Sequence, residues 1–127
     1  LAAVHYRQKV YRKTDNKYIH HQTGYWMWDA EKQLVMHSFS IPRGVNLLAG
    51  GQVKIENGET QFTVRSALND PHWHISQSPF MLEKAKTLSF VQNLQVKGNQ
   101  LSYQQTTLLD IYGSEFEHTD ENTLIKN

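Results

Sequence analysis

The sequence predicts an all-β fold, an antiparallel up-and-down β-barrel in which successive strands lie side by side. Apolar and polar residues alternate with a period of two through most of the chain, which is the pattern of a half-buried strand. Glycine, asparagine, aspartate and proline interrupt these runs at short intervals, and no segment predicts a helix long enough for a parallel crossover. Such strands form a sandwich or a barrel, and the length of the runs favours the barrel.

Composition narrows the classes of function. The chain has 127 residues, which suits a single domain over residues 1–127. Its net charge of +1 gives no reason to expect nucleic acid or an anionic membrane surface as a partner. The absence of cysteine excludes disulfides and thiolate metal sites. No apolar run approaches the roughly 20 residues of a membrane span and no leader pattern is present, so we expect a cytoplasmic protein.

The first half of the chain predicts four strands. The first begins near residue 1 and ends at the Asp15–Asn16 turn, and an aromatic-rich strand around Tyr25–Trp28 follows. The third strand ends at the Pro42–Gly44 turn, and one of its faces carries Val35, His37, Phe39 and Ile41. In the fourth strand the Gly50–Gly51 pair predicts a β-bulge or a sharp coil of the strand.

The second half begins with the strongest hairpin signal, Asn57–Gly58, because both residues tolerate positive φ in a type I′ turn. After one returning strand, residues 69–86 form an irregular segment with a short helical turn predicted over 78–86. A strand with an inward series of Leu88, Phe90, Leu94 and Val96 leads to a hairpin at Gly98. Two final strands meet at Gly113, and one face of the last carries Phe116, His118, Asp120, Asn122 and Leu124.

A barrel of about eight strands has a lumen that is filled by side chains or by one small ligand. Here the inward positions mix large apolar residues with small ones such as Ala49 and Thr107. We therefore expect a lumen for a small hydrophobic ligand, with a packed, ligand-free barrel as the alternative. Its predicted wall consists of Val35, Phe39, Phe90, Leu109 and Ile111.

His118 is the first candidate for chemistry. It shares a strand face with Phe116, and Asp120 lies two residues further along the same face. An imidazole in an apolar cavity can bind iron while a neighbouring acceptor fixes its tautomer. The alternatives are a buried, hydrogen-bonded core histidine or a histidine that faces water.

His37 is the second candidate, since it shares a face with Phe39 and would lie across the lumen as a distal partner or second axial ligand. The alternative is a histidine satisfied by serine or backbone partners near the Pro42 turn. Neither a serine nucleophile motif nor a phosphate-binding glycine loop is present.

The remaining histidine pairs are interpreted as surface residues. His72 and His74 point to the same side of an extended segment, an arrangement that can bind zinc, but no further ligand is visible nearby. His20 and His21 would point in opposite directions in a strand, which suits a metal even less.

Three stretches resemble the nitrobindin family of haem-binding barrels, which are similar in shape to fatty-acid-binding proteins and lipocalins (the calycin type). They are residues 21–26 with Gly-Tyr-Trp, residues 41–45 with Pro-x-Gly, and the region from Tyr103 through His118. Their order matches that of the family, and the resemblance spans essentially the whole chain.

The resemblance implies a haem b cofactor with His118 at the iron-ligand position and an open or water-filled sixth position. Beside His118 we expect a pocket formed by Phe116, His37, Phe39, Leu109 and Ile111. The resemblance also implies nitric oxide binding and an enzymatic activity, the isomerisation of peroxynitrite to nitrate.

Two departures from the family pattern are visible. Family members begin with a Gly-Thr-Trp stretch and about two further strands, so we expect this chain to lack the N-terminal part of a ten-strand barrel. A missing segment, or a second copy in a homodimer, would then close the wall. The spacing between Gly113 and His118 is also one residue shorter, which would change the direction of the imidazole.

Two other functions remain open. A haem-free carrier or sensor of a fatty acid needs an inward polar group for the carboxylate; the candidates are Arg65, which we expect to face outward, and Tyr103. A ligand-free interaction domain would use Trp26 or Trp28 as part of an exposed partner surface.

Overall fold

A computed structural model describes residues 1–127 of the chain, and it confirms the all-β prediction. Nine strands and one short helix occur. Their bounds are β1 (Ala2–Tyr11), β2 (Tyr18–Asp29), β3 (Leu34–Ile41), β4 (Val45–Glu56), β5 (Glu59–Ala67), β6 (Ile75–Gln77), α1 (Pro79–Lys84), β7 (Ala85–Lys97), β8 (Gln100–Ile111) and β9 (Ser114–Ile125).

The eight long strands form one antiparallel sheet in the order β1-β2-β3-β4-β5-β7-β8-β9. The short β6 pairs with the first part of β4, while β5 pairs with its later part. The sheet curls into a half-barrel, and the side-chain amide of Gln8 on β1 donates to the Tyr103 hydroxyl on β8 at 3.2 Å. β1 and β9 are the two edges of the sheet and are not paired with each other.

The turns follow their sequence signals. Asn57 and Gly58 have φ of 53° and 78°, the positive pair that a type I′ hairpin requires. The predicted helical turn is α1, whose N-cap Ser78 accepts a hydrogen bond at its side chain from the Met81 amide. No helix of the structure has the length and hydropathy that a membrane crossing requires.

The Gly50–Gly51 pair forms no bulge, because β3 and β4 keep one register on both sides of it. The pair instead permits close approach of neighbouring atoms. A Cβ at Gly51 would overlap the carbonyl oxygen of Thr63, and a Cβ at Gly50 would lie 2.5 Å from the Trp73 ring. The missing side chains thus let β5 and Trp73 pack tightly against β4.

A register shift between Thr87 and Ser89 in β7 alters one predicted inward series. The extra residue places buried Thr87 on the inner face ahead of Phe90. The prediction that Leu88 belongs to that inner series is therefore wrong, because a bulge breaks strict alternation.

The hydrophobic core lies inside the curled sheet. Its buried members are Val35, Phe39, Val45, Leu47, Ala49, Val64, Ile75, Met81, Phe90 and Leu94. Trp26 and Trp28 pack against this core, and the Trp26 ring stacks on His37 with 3.8 Å between centroids. The expectation of an exposed tryptophan surface for a partner is therefore wrong, since both side chains point into the half-barrel.

Candidate functional site

A cavity of about 700 Å³ lies at the end of the half-barrel where β2 begins, β3 turns into β4, and α1 is located. This volume is within the usual range of small-ligand sites, roughly 300–1,000 Å³. Its floor consists of the buried apolar residues Phe39, Val45, Leu47, Met81 and Phe90. Its exposed rim consists of Tyr18, Ile19, Pro42, Arg43, His118 and Asp120.

A second hollow of about 690 Å³ lies against β4, β5 and β7–β9. Most of its lining is polar, and it contains no histidine. An apolar floor with a few polar groups at its edge is the usual composition of a small-molecule site. The first cavity is therefore the candidate site.

His118 lines the cavity from β9, opposite Thr107 of β8. Its Nε2 lies 3.0 Å from Oδ2 of Asp120, and the two side chains are 52% and 50% exposed. Because a carboxylate only accepts, the imidazole donates through Nε2–H, and in the neutral form of the ring this leaves the lone pair of Nδ1 free. This is the arrangement in which a histidine binds a metal while a carboxylate orients its ring.

The other predicted pocket residues divide into two groups. Phe39 on the floor and Leu109 on the β8 wall line the cavity together with His118. Phe116 lies beside the His118 ring, with 6.5 Å between centroids, but it is not part of the cavity lining. Ile111 also lies outside the lining, at the end of β8 where the strand turns.

His37 lies in the core and does not line the cavity. Its Nε2 accepts a hydrogen bond from the Tyr6 hydroxyl, and its Nδ1 donates to Oε1 of Gln92 at 3.1 Å. Burial lowers the pKa of His37 to about 3, and the hydrogen bond to Gln92 opposes that change only in part. The ring is therefore neutral and has no nitrogen left for a ligand.

His37 is the centre of a hydrogen-bonded chain across the interior. Each member donates to the next in the order His20, Gln22, Tyr6, His37, Gln92 and Gln105. Burial raises the pKa of Tyr6 to about 12, against the effect of its hydrogen bond with Gln22. Tyr6 and His37 are therefore uncharged at neutral pH. The two ends of this hydrogen-bonded series, His20 and Gln105, both line the cavity.

His20 and His21, interpreted as surface residues, are partly buried and line the cavity. The Nε2 atom of His21 is buried and has no hydrogen-bond partner. The sequence could have indicated the position of His20, because it lies an even number of residues from Gln22 and Trp26 and so shares their inward face of β2.

Arg43 was also missed as a site residue, since the sequence indicates only that it lies in a turn. It is the single lysine or arginine in the cavity lining. Arg65 is exposed and faces outward, as expected. The Tyr103 hydroxyl accepts a hydrogen bond from Gln8. His72 and His74 are exposed, and no group of three or more potential metal ligands occurs anywhere in the structure.

Comparison with known proteins agrees with the β-barrel fold. The model of the family described as THAP4-like, heme-binding beta-barrel domain matches residues 2–126. The fold is similar to the crystal structure of Rv2717c from M. tuberculosis, with a TM-score of 0.76 and 16% sequence identity. The match covers 98% of this chain and 73% of that one. None of the curated proteins matches the chain.

Proposed function

The chain belongs to the THAP4-like, haem-binding β-barrel domain family, and we propose that it binds haem b in the cavity at the α1 end of the half-barrel. In this proposal Nδ1 of His118 binds the ferric iron. The observation that carries it is the hydrogen-bonded pair His118–Asp120, placed at the edge of a cavity with an apolar floor.

The donor set of the cavity fits haem better than a free metal ion. A free zinc ion needs three or four protein ligands, and no such group exists in the chain. A porphyrin supplies the equatorial nitrogens itself, so one histidine is enough to hold its iron. Nδ1 of His118 supplies that single ligand, and the floor residues supply the apolar surface that a porphyrin ring requires.

The protein's own residues would hold and shield the cofactor. Asp120 fixes the tautomer and direction of His118, and Phe39 and Phe90 exclude water from the inner side of the cavity. His37 cannot supply a second ligand, because both of its ring nitrogens are hydrogen-bonded.

When bound, haem would supply a ferric iron that takes nitric oxide and isomerises peroxynitrite to nitrate, as the family resemblance implies. His20 and Gln22 line the β2 side of the cavity and would offer hydrogen bonds to a small ligand there.

An absorption titration with haemin tests the proposal, using the wild-type protein, His118→Ala and the exposed control His72→Ala. We expect a sharp, shifted Soret band that saturates at one equivalent in the wild type and the control, and a weaker, broader band in His118→Ala. The broad band of free haemin in all three proteins would contradict the proposal.

A haem-free carrier of a fatty acid is the second candidate. The two polar groups suggested by the sequence do not favour it, because Arg65 faces outward and the Tyr103 hydroxyl is already bonded to Gln8. The apolar floor and the rim residue Arg43 do favour a ligand with a carboxylate.

A further inference from the structure

Arg43 is an unpaired cation at the rim of the candidate cavity. It takes part in none of the ion pairs of the structure, and its guanidinium makes no hydrogen bond within the chain. The only acid in the cavity lining, Asp120, is paired with His118. Arg43 is therefore free to bind an anionic group of a ligand.

The backbone of Arg43 is held firmly although its side chain is free. The Arg43 amide donates to the Ile41 carbonyl at 2.7 Å, and the Arg43 carbonyl accepts from the Ser78 hydroxyl at 3.0 Å. Gly44 follows with φ of 77°, and its carbonyl accepts from the Ser78 amide at 2.7 Å. These bonds fix the β3–β4 turn to the N-terminus of α1 and keep Arg43 at the rim.

The residues around Arg43 indicate which kind of ligand the cavity suits. Phe39, Val45 and Met81 form an apolar floor beneath the rim, so an apolar body is stabilised inside the cavity. A carboxylate at one end of that body would remain at the solvent-exposed edge, where the planar guanidinium can bind both of its oxygens.

We infer that Arg43 anchors the carboxylate of an amphipathic ligand whose apolar part lies on the cavity floor. The haem propionates and the head group of a fatty acid share this chemistry. The inference deepens the proposed function, since it concerns the same cavity, but it does not depend on iron binding by His118.

The experiment compares each acid with its ester, because esterification removes the negative charge and leaves the apolar body unchanged. The probes are haemin, haemin dimethyl ester, the fluorescent fatty acid cis-parinaric acid and its methyl ester. The proteins are the wild type, Arg43→Gln, Arg43→Lys and the matched control Arg65→Gln, which removes an outward-facing arginine. Circular dichroism verifies that each variant is folded.

We expect Arg43→Gln to weaken binding of a free acid by about tenfold and to leave binding of its ester unchanged. Arg43→Lys should retain part of the affinity, because it keeps the charge without the planar guanidinium. Arg65→Gln should bind like the wild type. Rising salt should weaken binding of the acid to the wild type more than to Arg43→Gln.

The inference is overturned if Arg43→Gln weakens acid and ester equally, if it changes neither, or if none of the probes binds. Its failure is distinguishable from failure of the haem proposal. Haemin binding that needs His118 but not Arg43 would refute only the anchor. If parinaric acid binds only when Arg43 is present and haemin does not bind at all, the role of Arg43 is supported and the haem proposal is rejected.

Discussion

The Tyr6 hydroxyl donates a hydrogen bond of 2.5 Å to Nε2 of His37 inside the half-barrel. The same hydroxyl oxygen accepts from the side-chain amide of Gln22. Tyr6 therefore joins Gln22, a residue of the cavity lining, to His37 in the core, so the β2 wall of the cavity is hydrogen-bonded to the interior.

Removal of the Tyr6 hydroxyl should destabilise the fold. Tyr6→Phe leaves the Gln22 amide and Nε2 of His37 without partners in a water-poor interior, which costs about 1–3 kcal/mol. Urea denaturation measures the change. The control Tyr25→Phe removes a hydroxyl from a half-exposed side chain that makes no hydrogen bond, and its stability should match the wild type. Equal stability of all three proteins would show that the hydrogen bonds of Tyr6 contribute nothing to the stability of the fold.

The buried His37 predicts a loss of stability in acid. Its pKa is lowered to about 3 in the folded protein, against an ordinary value of 6.5. Between these values the unfolded chain binds more protons, so stability is complete above pH 6.5 and falls as the pH decreases. The loss from pH 7 to pH 5 should be about 2 kcal/mol.

Urea denaturation at several pH values tests this dependence. His37→Gln should be less stable than the wild type at pH 7 but should show a smaller loss between pH 7 and pH 5. The exposed control His5→Gln should keep the wild-type loss. If His37→Gln loses as much stability in acid as the wild type, a different group causes the pH dependence.

Gly51 should not tolerate a side chain. In Gly51→Ala the new methyl group would meet the Thr63 carbonyl oxygen, and since both partners are backbone of paired strands, neither can move away freely. We expect a loss of about 3 kcal/mol. Gly58→Asn is the control, because no atom lies near Gly58 and asparagine tolerates its positive φ. A Gly51→Ala protein as stable as that control would contradict the close approach of β4 and β5.

The strands and turns could be predicted from the sequence because their signals are local. Alternation placed Phe39 inside, and positive-φ residues defined the Asn57–Gly58 hairpin. The bulge that places Thr87 rather than Leu88 on the inner face arises from the pairing of β7 with β8. The alternation of residues within β7 alone gives no information about that pairing.

The candidate site was only partly predictable for the same reason. Phe39 was predicted by parity and His118 by parity together with the family resemblance, and both line the cavity. Arg43 reaches the rim because its turn is bonded to Ser78, 35 residues along the chain. The partners of His37 come from β1 and β7, so no spacing within β3 reveals that both ring nitrogens are occupied.

The most direct test of the central claim is chemical rescue of His118→Gly by free imidazole. The substitution removes the proposed iron ligand and leaves a space at the exposed edge of the cavity that imidazole can enter. We expect His118→Gly with one equivalent of haemin to lack the wild-type Soret band, and millimolar imidazole to restore it. The same imidazole should restore nothing in the protein-free control. A wild-type band in His118→Gly without imidazole would contradict iron binding by His118.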